Sequence, residues 1–339
     1  MLMAWLLFGL SAVVIVIAGT KLSHYGDRIA EHTGLGRLWI GVVLLAGATS
    51  LPEVLTAVSA VLIDAPDIAV GDLLGAGLSN MLTLALIDLA YRHKRVWQQA
   101  ALEQALIATL AVMLTGLAGL LIVVRQPIPL WNVGLGTFAI AVIYVLGMRV
   151  VLRQEGMRRR EEQLKRVVEA EEAEANLPVV AGALKRAVVG FALAAVGILA
   201  AAPLLAESAK EIAEATGIST TFIGTSLVAI TTSLPELVTS FAAVRLGAFD
   251  LAVGNLFGSN AINMAVLFLA DVAYRKGPLL ASIEPSHAVT ALVSILLMSV
   301  GLMGIIYRAE KRFVLIEPDS VLMIVGYGLG MWLLFRIGG

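Results

Sequence analysis

The chain has no cysteine among its 339 residues. That excludes disulfides, thiolate metal sites and thiol catalysis. Charge is scarce as well: Asp, Glu, Lys and Arg make up 14% of the residues, against roughly a quarter in soluble domains. The formal net charge is −1, so no global field draws the chain to nucleic acid. The first apolar stretch, residues 2–20, lacks a basic leading region and a small-residue cleavage site, and reads as a spanning helix rather than a removable leader. What abounds is apolar: 59% of residues are hydrophobic and the mean hydropathy is +0.91, the profile of a polytopic membrane protein.

A spanning helix needs about 20 mostly apolar residues. Ten stretches qualify: 3–20, 38–63, 68–90, 99–124, 130–152, 183–206, 219–244, 249–273, 287–307 and 319–337. Between the fifth and sixth lies the one hydrophilic block, RQEGMRRREEQLKRVVEAEEAEA from Arg153, which reads as a solvated helical linker too short and too charged to hold a core. Three units follow: 1–152, a linker 153–182, and 183–339. With both termini outside, Lys21, Arg28, Arg37, Arg92, Lys94, Arg95, the linker, Arg245, Arg308, Lys311 and Arg312 all face inward. Only Arg125, Lys210, Arg275, Lys276 and Arg336 remain outside, so the bias of basic residues predicts a cytoplasmic linker.

The chain repeats itself. RIAEHTGLGRLWIGVVLLAGATSLPEVLTA from Arg28 aligns without a gap on EIAEATGISTTFIGTSLVAITTSLPELVTS from Glu211, 183 residues later, with about half the positions identical. The match continues from VGDLLGAGLSNM (Val70 to Met81) to VGNLFGSNAINM (Val253 to Met264), and from DLAYR at Asp88 to DVAYR at Asp271. Apolar helices match by chance at Leu and Val, not at Thr-Ser-Leu-Pro-Glu in register. Each copy carries five spans. Five is odd, so the second copy enters the membrane from the opposite side, and the fold expected is all-α with ten spans in two inverted five-helix repeats. Such pairs commonly build secondary transporters, with the site at the midplane where matching helix breaks meet.

GATSLPE and ITTSLPE are those breaks. Proline removes a backbone N–H and clashes with the carbonyl four residues back, so Pro52 frees the carbonyl of Ala48 and Pro235 that of Thr231. Freed carbonyls in hydrocarbon need partners. Thr49, Ser50, Thr232 and Ser233 add hydroxyls at that level, and Glu53 and Glu236 add carboxylates. Oxygen-only clusters suit hard cations such as Na⁺ and Ca²⁺. A lone proline kink is ordinary in membrane helices, and Ser and Thr often only bond back to their own helix. An acidic residue at mid-membrane costs on the order of 2.5–3.5 kcal/mol, and two in symmetric positions point to function. The next helix of each half offers Asn80 and Asn263 at equivalent depth, with Ser259 one turn from Asn263 and Ala76 as its counterpart. The glycines around them need only a packing role.

In these residues the sequence resembles the cation/calcium exchanger superfamily, sodium/calcium exchanger branch, over essentially the whole chain. GATSLPE with SNM, and TTSLPELVTS with GNLFGSNAIN, match its two repeat motifs. The resemblance implies exchange of Ca²⁺ for Na⁺ by alternating access in the cell (inner) membrane, with four cation sites between helices two, three, seven and eight. It implies Glu53 and Glu236 as central ligands, with the backbone carbonyls of Thr49 and Thr232 on Ca²⁺. Ser50, Ser233 and Ser259, with the carbonyls of Ala46 and Ala229, would serve flanking Na⁺ sites, and Asn80 and Asn263 would close the middle. No cofactor, enzymatic activity or obligate protein partner is expected.

Three positions depart from that pattern. Ala76 stands for a serine, removing a hydroxyl ligand. Asn263 stands where some members carry aspartate, which argues against a K⁺-dependent subtype. Asp72 replaces an asparagine; a proton-titrating or ion-gathering role is one reading, and a water-exposed carboxylate at a helix end is the preferred one. The nearest rival is a Ca²⁺/H⁺ exchanger, since buried glutamates titrate; its helix-three and helix-eight glutamate is absent from GDLLG and GNLFG. A channel, or an intramembrane protease suggested by Val70-Gly71-Asp72, is further away. His24, His32, His93 and His287 read as interfacial, and Asp88 and Asp271 as local partners of Arg92 and Arg275.

Overall fold

The structure is a computed structural model, and it describes residues 1–33, 46–91, 102–125, 129–130, 132–169, 181–245, 247, 249–307 and 318–338. In chain order the helices are α1 (Leu2–Thr33), α2 (Ala46–Thr49), α3 (Leu51–Leu62), α4 (Pro66–Ala90), α5 (Leu102–Val124), α6 (Leu135–Glu169), α7 (Ala181–Thr216) and α8 (Thr220–Ile223). A π-helical turn, Gly224–Val228, leads into α9 (Ala229–Thr232), α10 (Leu234–Arg245), α11 (Phe249–Ala273), α12 (Leu279–Ser282), α13 (His287–Tyr307) and α14 (Pro318–Gly338). Among the described residues the only strands are β1 (Pro129–Leu130) and β2 (Val133–Gly134), a two-residue antiparallel pair just before α6.

Eight helices are individually long and apolar enough to span: α1, α4, α5, α6, α7, α11, α13 and α14. Thr220–Thr232 and Leu234–Arg245 meet at 42° and together make a ninth, broken span. The expected span 38–63 is described from residue 46 as α2 and α3; residues 38–45 lie outside the described residues. So do Arg37, Arg92, Lys94, Arg95, Arg308, Lys311 and Arg312 of the charge count, His93, and linker residues 170–180. Two helices outrun their apolar stretches: α1 continues to Thr33 and α7 to Thr216, because Lys21–Thr33 and Glu207–Thr216 contain no proline and mostly helix-forming residues. For the same reason α6 carries on through the charged block to Glu169.

The protein's centre is α4 and α11. In their spans 78% and 67% of residues are buried, against 22–50% for the other straight spans. Both helices therefore face protein all round. Their neighbours are exchanged between the halves: α5 and α6 of the first half pack on α11, and α13 and α14 of the second pack on α4. The halves are interlocked, not laid side by side. Two reciprocal carboxylate clasps mark the exchange. Ser320 Oγ on α14 donates to Asp88 Oδ2 on α4 at 2.6 Å, and 183 residues earlier Thr137 on α6 donates to Asp271 on α11. Asp271 also accepts the backbone N–H groups of Gly134 and Leu279, each at 2.8 Å. Gly134 and Thr137 lie across the interface and Leu279 eight residues along the chain, correcting the expectation of local pairing with Arg275.

α1 and α7 pack along each other and, at part of their length, form a second hydrophobic cluster of Leu22, Ala194 and Ile198. Elsewhere both join the main core, through Phe8 and Ile15 of α1 and Leu205 and Ile212 of α7. α1 reaches the centre at Gly19, where an added Cβ would lie 2.5 Å from Pro235 Cγ and 3.6 Å from Pro52 Cγ. Only a glycine lets α1 seat on both proline breaks at once.

Candidate cation-binding site

Both breaks have one geometry. Ser50, between α2 and α3, has φ −81° and ψ 3°; Ser233, between α9 and α10, has φ −85° and ψ 1°. Each is followed by Leu-Pro-Glu, with proline inside the first turn of the new helix, where its missing N–H costs nothing. The glutamate falls in that same turn, near the positive end of the helix dipole. Upstream of the second break the backbone is further loosened by the π turn. There Gly224 abuts α4 so closely that a Cβ would meet Ile68 O at 2.7 Å, and on α4 a Cβ at Gly75 would meet Thr225 O at 2.4 Å. This backbone-to-backbone contact fixes the depth and rotation of α4 against the break.

Glu53 and Glu236 are 0% exposed. Ser233 Oγ donates to Glu53 Oε1 at 3.2 Å. Since Ser233 lies three residues before Glu236, the two acids meet across the repeat boundary, and Glu53 lies within electrostatic reach of both Glu236 and Asp72. Glu236 Oε1 accepts from Ser259 at 3.5 Å, and Thr49 sits between Ser259 and Asn255, 3.5 Å from each. Among the described residues, Glu53 Oε2, Glu236 Oε2, Ser50 Oγ, Asn80 Oδ1 and both side-chain amide atoms of Asn263 are buried without a protein partner. Buried carboxylates left like this are costly unless a cation completes them. Among the described residues no Lys, Arg or His bonds to either glutamate. Nor do three His, Asp or Glu side chains there gather tightly enough to hold a metal alone. A cation must therefore draw on hydroxyl, amide and carbonyl oxygens as well.

Thr49, Ser50, Glu53, Asn80, Thr232, Ser233, Glu236, Ser259 and Asn263 are all buried, and hydrogen bonds link Ser233 to Glu53, Ser259 to Glu236 and Thr49 to Ser259. Ala46 and Ala229 head the short helices α2 and α9. The carbonyl of Ala229 already accepts from Ser233 N at 3.1 Å and Thr232 Oγ1 at 3.2 Å, so Thr232 must turn away before that oxygen can ligate. The amide of Asn80 donates to Asn260 Oδ1 at 2.8 Å rather than to a glutamate.

Two expectations are corrected, and two buried residues are added. Asp72 is not a water-exposed helix-end carboxylate: it is 0% exposed and accepts from Thr232 Oγ1 at 2.8 Å. His287 is not interfacial: it is fully buried, with Nε2 3.1 Å from Asp67 Oδ1 and 3.4 Å from Thr221 Oγ1. Asn255 and Asn260 were not singled out from the sequence, yet both are buried in the site, Asn255 donating to Ser240 Oγ at 3.2 Å. The signal available for Asn255 was its register, since it aligns with Asp72 in the repeat.

Fold and site together define an all-helical, inverted-repeat membrane transporter with an acidic, oxygen-lined centre. A family model described as sodium/calcium exchanger protein matches residues 3–150 and 186–336, and the chain belongs to that family. It is therefore a multi-pass cation exchanger and not an enzyme. The sodium-calcium exchanger NCX_Mj, in a structure soaked with 10 mM Na⁺ and no Ca²⁺, has the same fold at TM-score 0.61 and 22% identity, covering 98% of this chain and 99% of that one. The H⁺/Ca²⁺ exchanger CAX superposes at TM-score 0.70 and 12% identity, covering 99% of this chain and 86% of that one. The candidate antiporter CaxA of Alkalimonas amylolytica is 32% identical over 80 residues. That match spans 24% of each protein, so it carries family likeness and no more.

Proposed function

We propose that the chain exchanges Ca²⁺ for Na⁺ by alternating access, binding the transported ion between Glu53 and Glu236. The observation that carries this is the contact from Ser233 to Glu53, which brings the acids of the two inverted repeats into one buried chamber. Thr49, Ser50, Thr232, Ser233, Ser259, Asn80 and Asn263, with the carbonyls of Ala46 and Ala229, complete the oxygen set. The glutamates supply −2. One Ca²⁺ balances that charge, and so do Na⁺ ions, but not both together. An empty, doubly charged chamber is costly to carry past a dry barrier, so reorientation favours the loaded protein and couples the two fluxes. Glu53, Glu236 and Asp72 are buried in this conformation, and exchange requires conformations that open them to each side in turn. The α1–α7 pair, which packs along itself and rests on both prolines through Gly19, is the element we assign to the movement. Both termini lie outside and the linker is cytoplasmic in the cell (inner) membrane, following the basic residues.

Proton coupling is the second reading, and the third buried acid, Asp72, is the observation that favours it. Both are tested by ⁴⁵Ca²⁺ uptake into proteoliposomes. A Na⁺ gradient imposed at constant pH drives uptake under the first. Uptake driven by a pH gradient alone, and indifferent to Na⁺, overturns it in favour of the second.

A further inference from the structure

Asp72 is unlike its repeat partner. At 72 and 76, one helical turn apart on α4, the chain has Asp and Ala; at 255 and 259 on α11 it has Asn and Ser. The second half thus presents an amide and a hydroxyl, the first a carboxylate and a methyl. The threonine beside each pair is common to both halves. Thr232 donates to Asp72 Oδ1 at 2.8 Å, and its counterpart Thr49 approaches Asn255 Oδ1 at 3.5 Å. In the second half the hydroxyl of Ser259 reaches Glu236; in the first, Ala76 offers Glu53 nothing.

Asp72 nevertheless shares the chamber with Glu53. The adjacent residues Thr232 and Ser233 hold them, Thr232 on Asp72 and Ser233 on Glu53. Gly71 brings α4 up to the π turn, where an added Cβ would meet Thr225 N at 2.9 Å, and so fixes Asp72 at this depth. Two buried oxygens on this flank have no partner among the described residues, Asp72 Oδ2 and Glu53 Oε2. Both belong to carboxylates, and no described Lys, Arg or His bonds to either. A hard cation completes both at once.

Building on the exchange reading above, we propose that Asp72 is a Na⁺ ligand and a specificity-determining residue, its carboxylate standing in for the hydroxyl lost at Ala76. The first-half flank then holds Na⁺ through Asp72 and Glu53, while the second-half flank uses the neutral pair Asn255 and Ser259. The exchange concentrates negative charge on one side of the chamber.

The test is ion-dependent thermal stability of purified protein in detergent, since a ligand that binds only the folded state raises the melting temperature with its concentration. Na⁺ and Ca²⁺ are titrated separately against wild type, Asp72→Asn, Asp72→Asn/Ala76→Ser and Glu53→Gln. Asparagine keeps an oxygen for Thr232 and copies the second half, so a purely structural Asp72 tolerates it. The expected result is a Na⁺ midpoint raised about tenfold or more in Asp72→Asn, a loss of at least 1.4 kcal/mol, with the Ca²⁺ midpoint moved by no more than about threefold. Adding Ala76→Ser recovers most of the Na⁺ response. An unchanged Na⁺ midpoint, equal losses for both ions, or a wild type insensitive to Na⁺ overturns the assignment. Full Ca²⁺ stabilisation of Glu53→Gln sinks the exchange reading instead, so the two failures are told apart.

Discussion

The two halves agree at the helix breaks and disagree on the helix that follows. Ser50 and Ser233 share their backbone angles within a few degrees, and each is followed by Leu-Pro-Glu. On the next helix, 72, 76 and 77 read Asp, Ala and Gly where 255, 259 and 260 read Asn, Ser and Asn. The outer layer differs too: His287, buried against Asp67, stands where the first half has Gln104. On the exchange reading proposed above, symmetry is retained where two inverted copies share one site and relaxed where a side chain tunes the ion held beside it.

The comparison breaks most sharply at the acids. Glu53→Gln and Glu236→Gln each remove one charge from a buried chamber. On the scale of about 3–5 kcal/mol for losing one partner of a buried charge pair, each is expected to cut ⁴⁵Ca²⁺ flux in vesicles more than a hundredfold, and by similar amounts. Near-normal flux in either would mean that the halves do not share the site. Next come the clasps. Asp271→Ala strands the N–H groups of Gly134 and Leu279, while the hydroxyl of Thr137 keeps the carbonyl of Gly134, and is expected to cost about 2–4 kcal/mol of stability. Ser320→Ala, which removes the donor at the other clasp, costs about 1 kcal/mol. Melting temperatures in detergent rank the two.

Glycines give a smaller contrast. An alanine at Gly71 meets backbone, Thr225 N at 2.9 Å and Thr221 O at 3.0 Å, whereas its counterpart Gly254 meets the end of the Gln104 side chain at 2.8 Å. Gly71→Ala is expected to cost about 1–3 kcal/mol and to slow exchange, and Gly254→Ala less than about 1, because Gln104 swings aside. The smallest effect belongs to the turn after the broken spans. Asp64 has φ 62° and its counterpart Gly247 has φ 79°. Aspartate tolerates that left-handed region, and the exposed Lys276–Asp64 pair adds little, so Asp64→Gly should leave the melting temperature unchanged to within about 1 kcal/mol.

Much of the centre was legible because membranes make polar errors expensive. Glu53 and Glu236 stand out since a mid-membrane acid needs a reason, and Pro52 and Pro235 since they break a helix that lipid would keep whole. The gap-free repeat at 183 residues gave the inverted architecture directly. Packing was not legible in the same way. Periodicity runs along one chain, and nothing in it says that α5 and α6 lie on α11 rather than on α4. Asp72 was misjudged for that reason: six residues into α4 it looked near water, but Gly71 and Gly75 press that turn against the π turn and bury it. His287 was misplaced likewise, since only the fold brings Asp67, 220 residues away, to its ring.

The central claim is that one carboxylate from each half grips the same ion. Long-wavelength anomalous diffraction from crystals soaked in Ca²⁺ tests it directly. The account predicts a peak between α3 and α10 about 2.3–2.6 Å from a carboxylate oxygen of both Glu53 and Glu236. A Ca²⁺ peak that leaves either glutamate outside its coordination shell would contradict it.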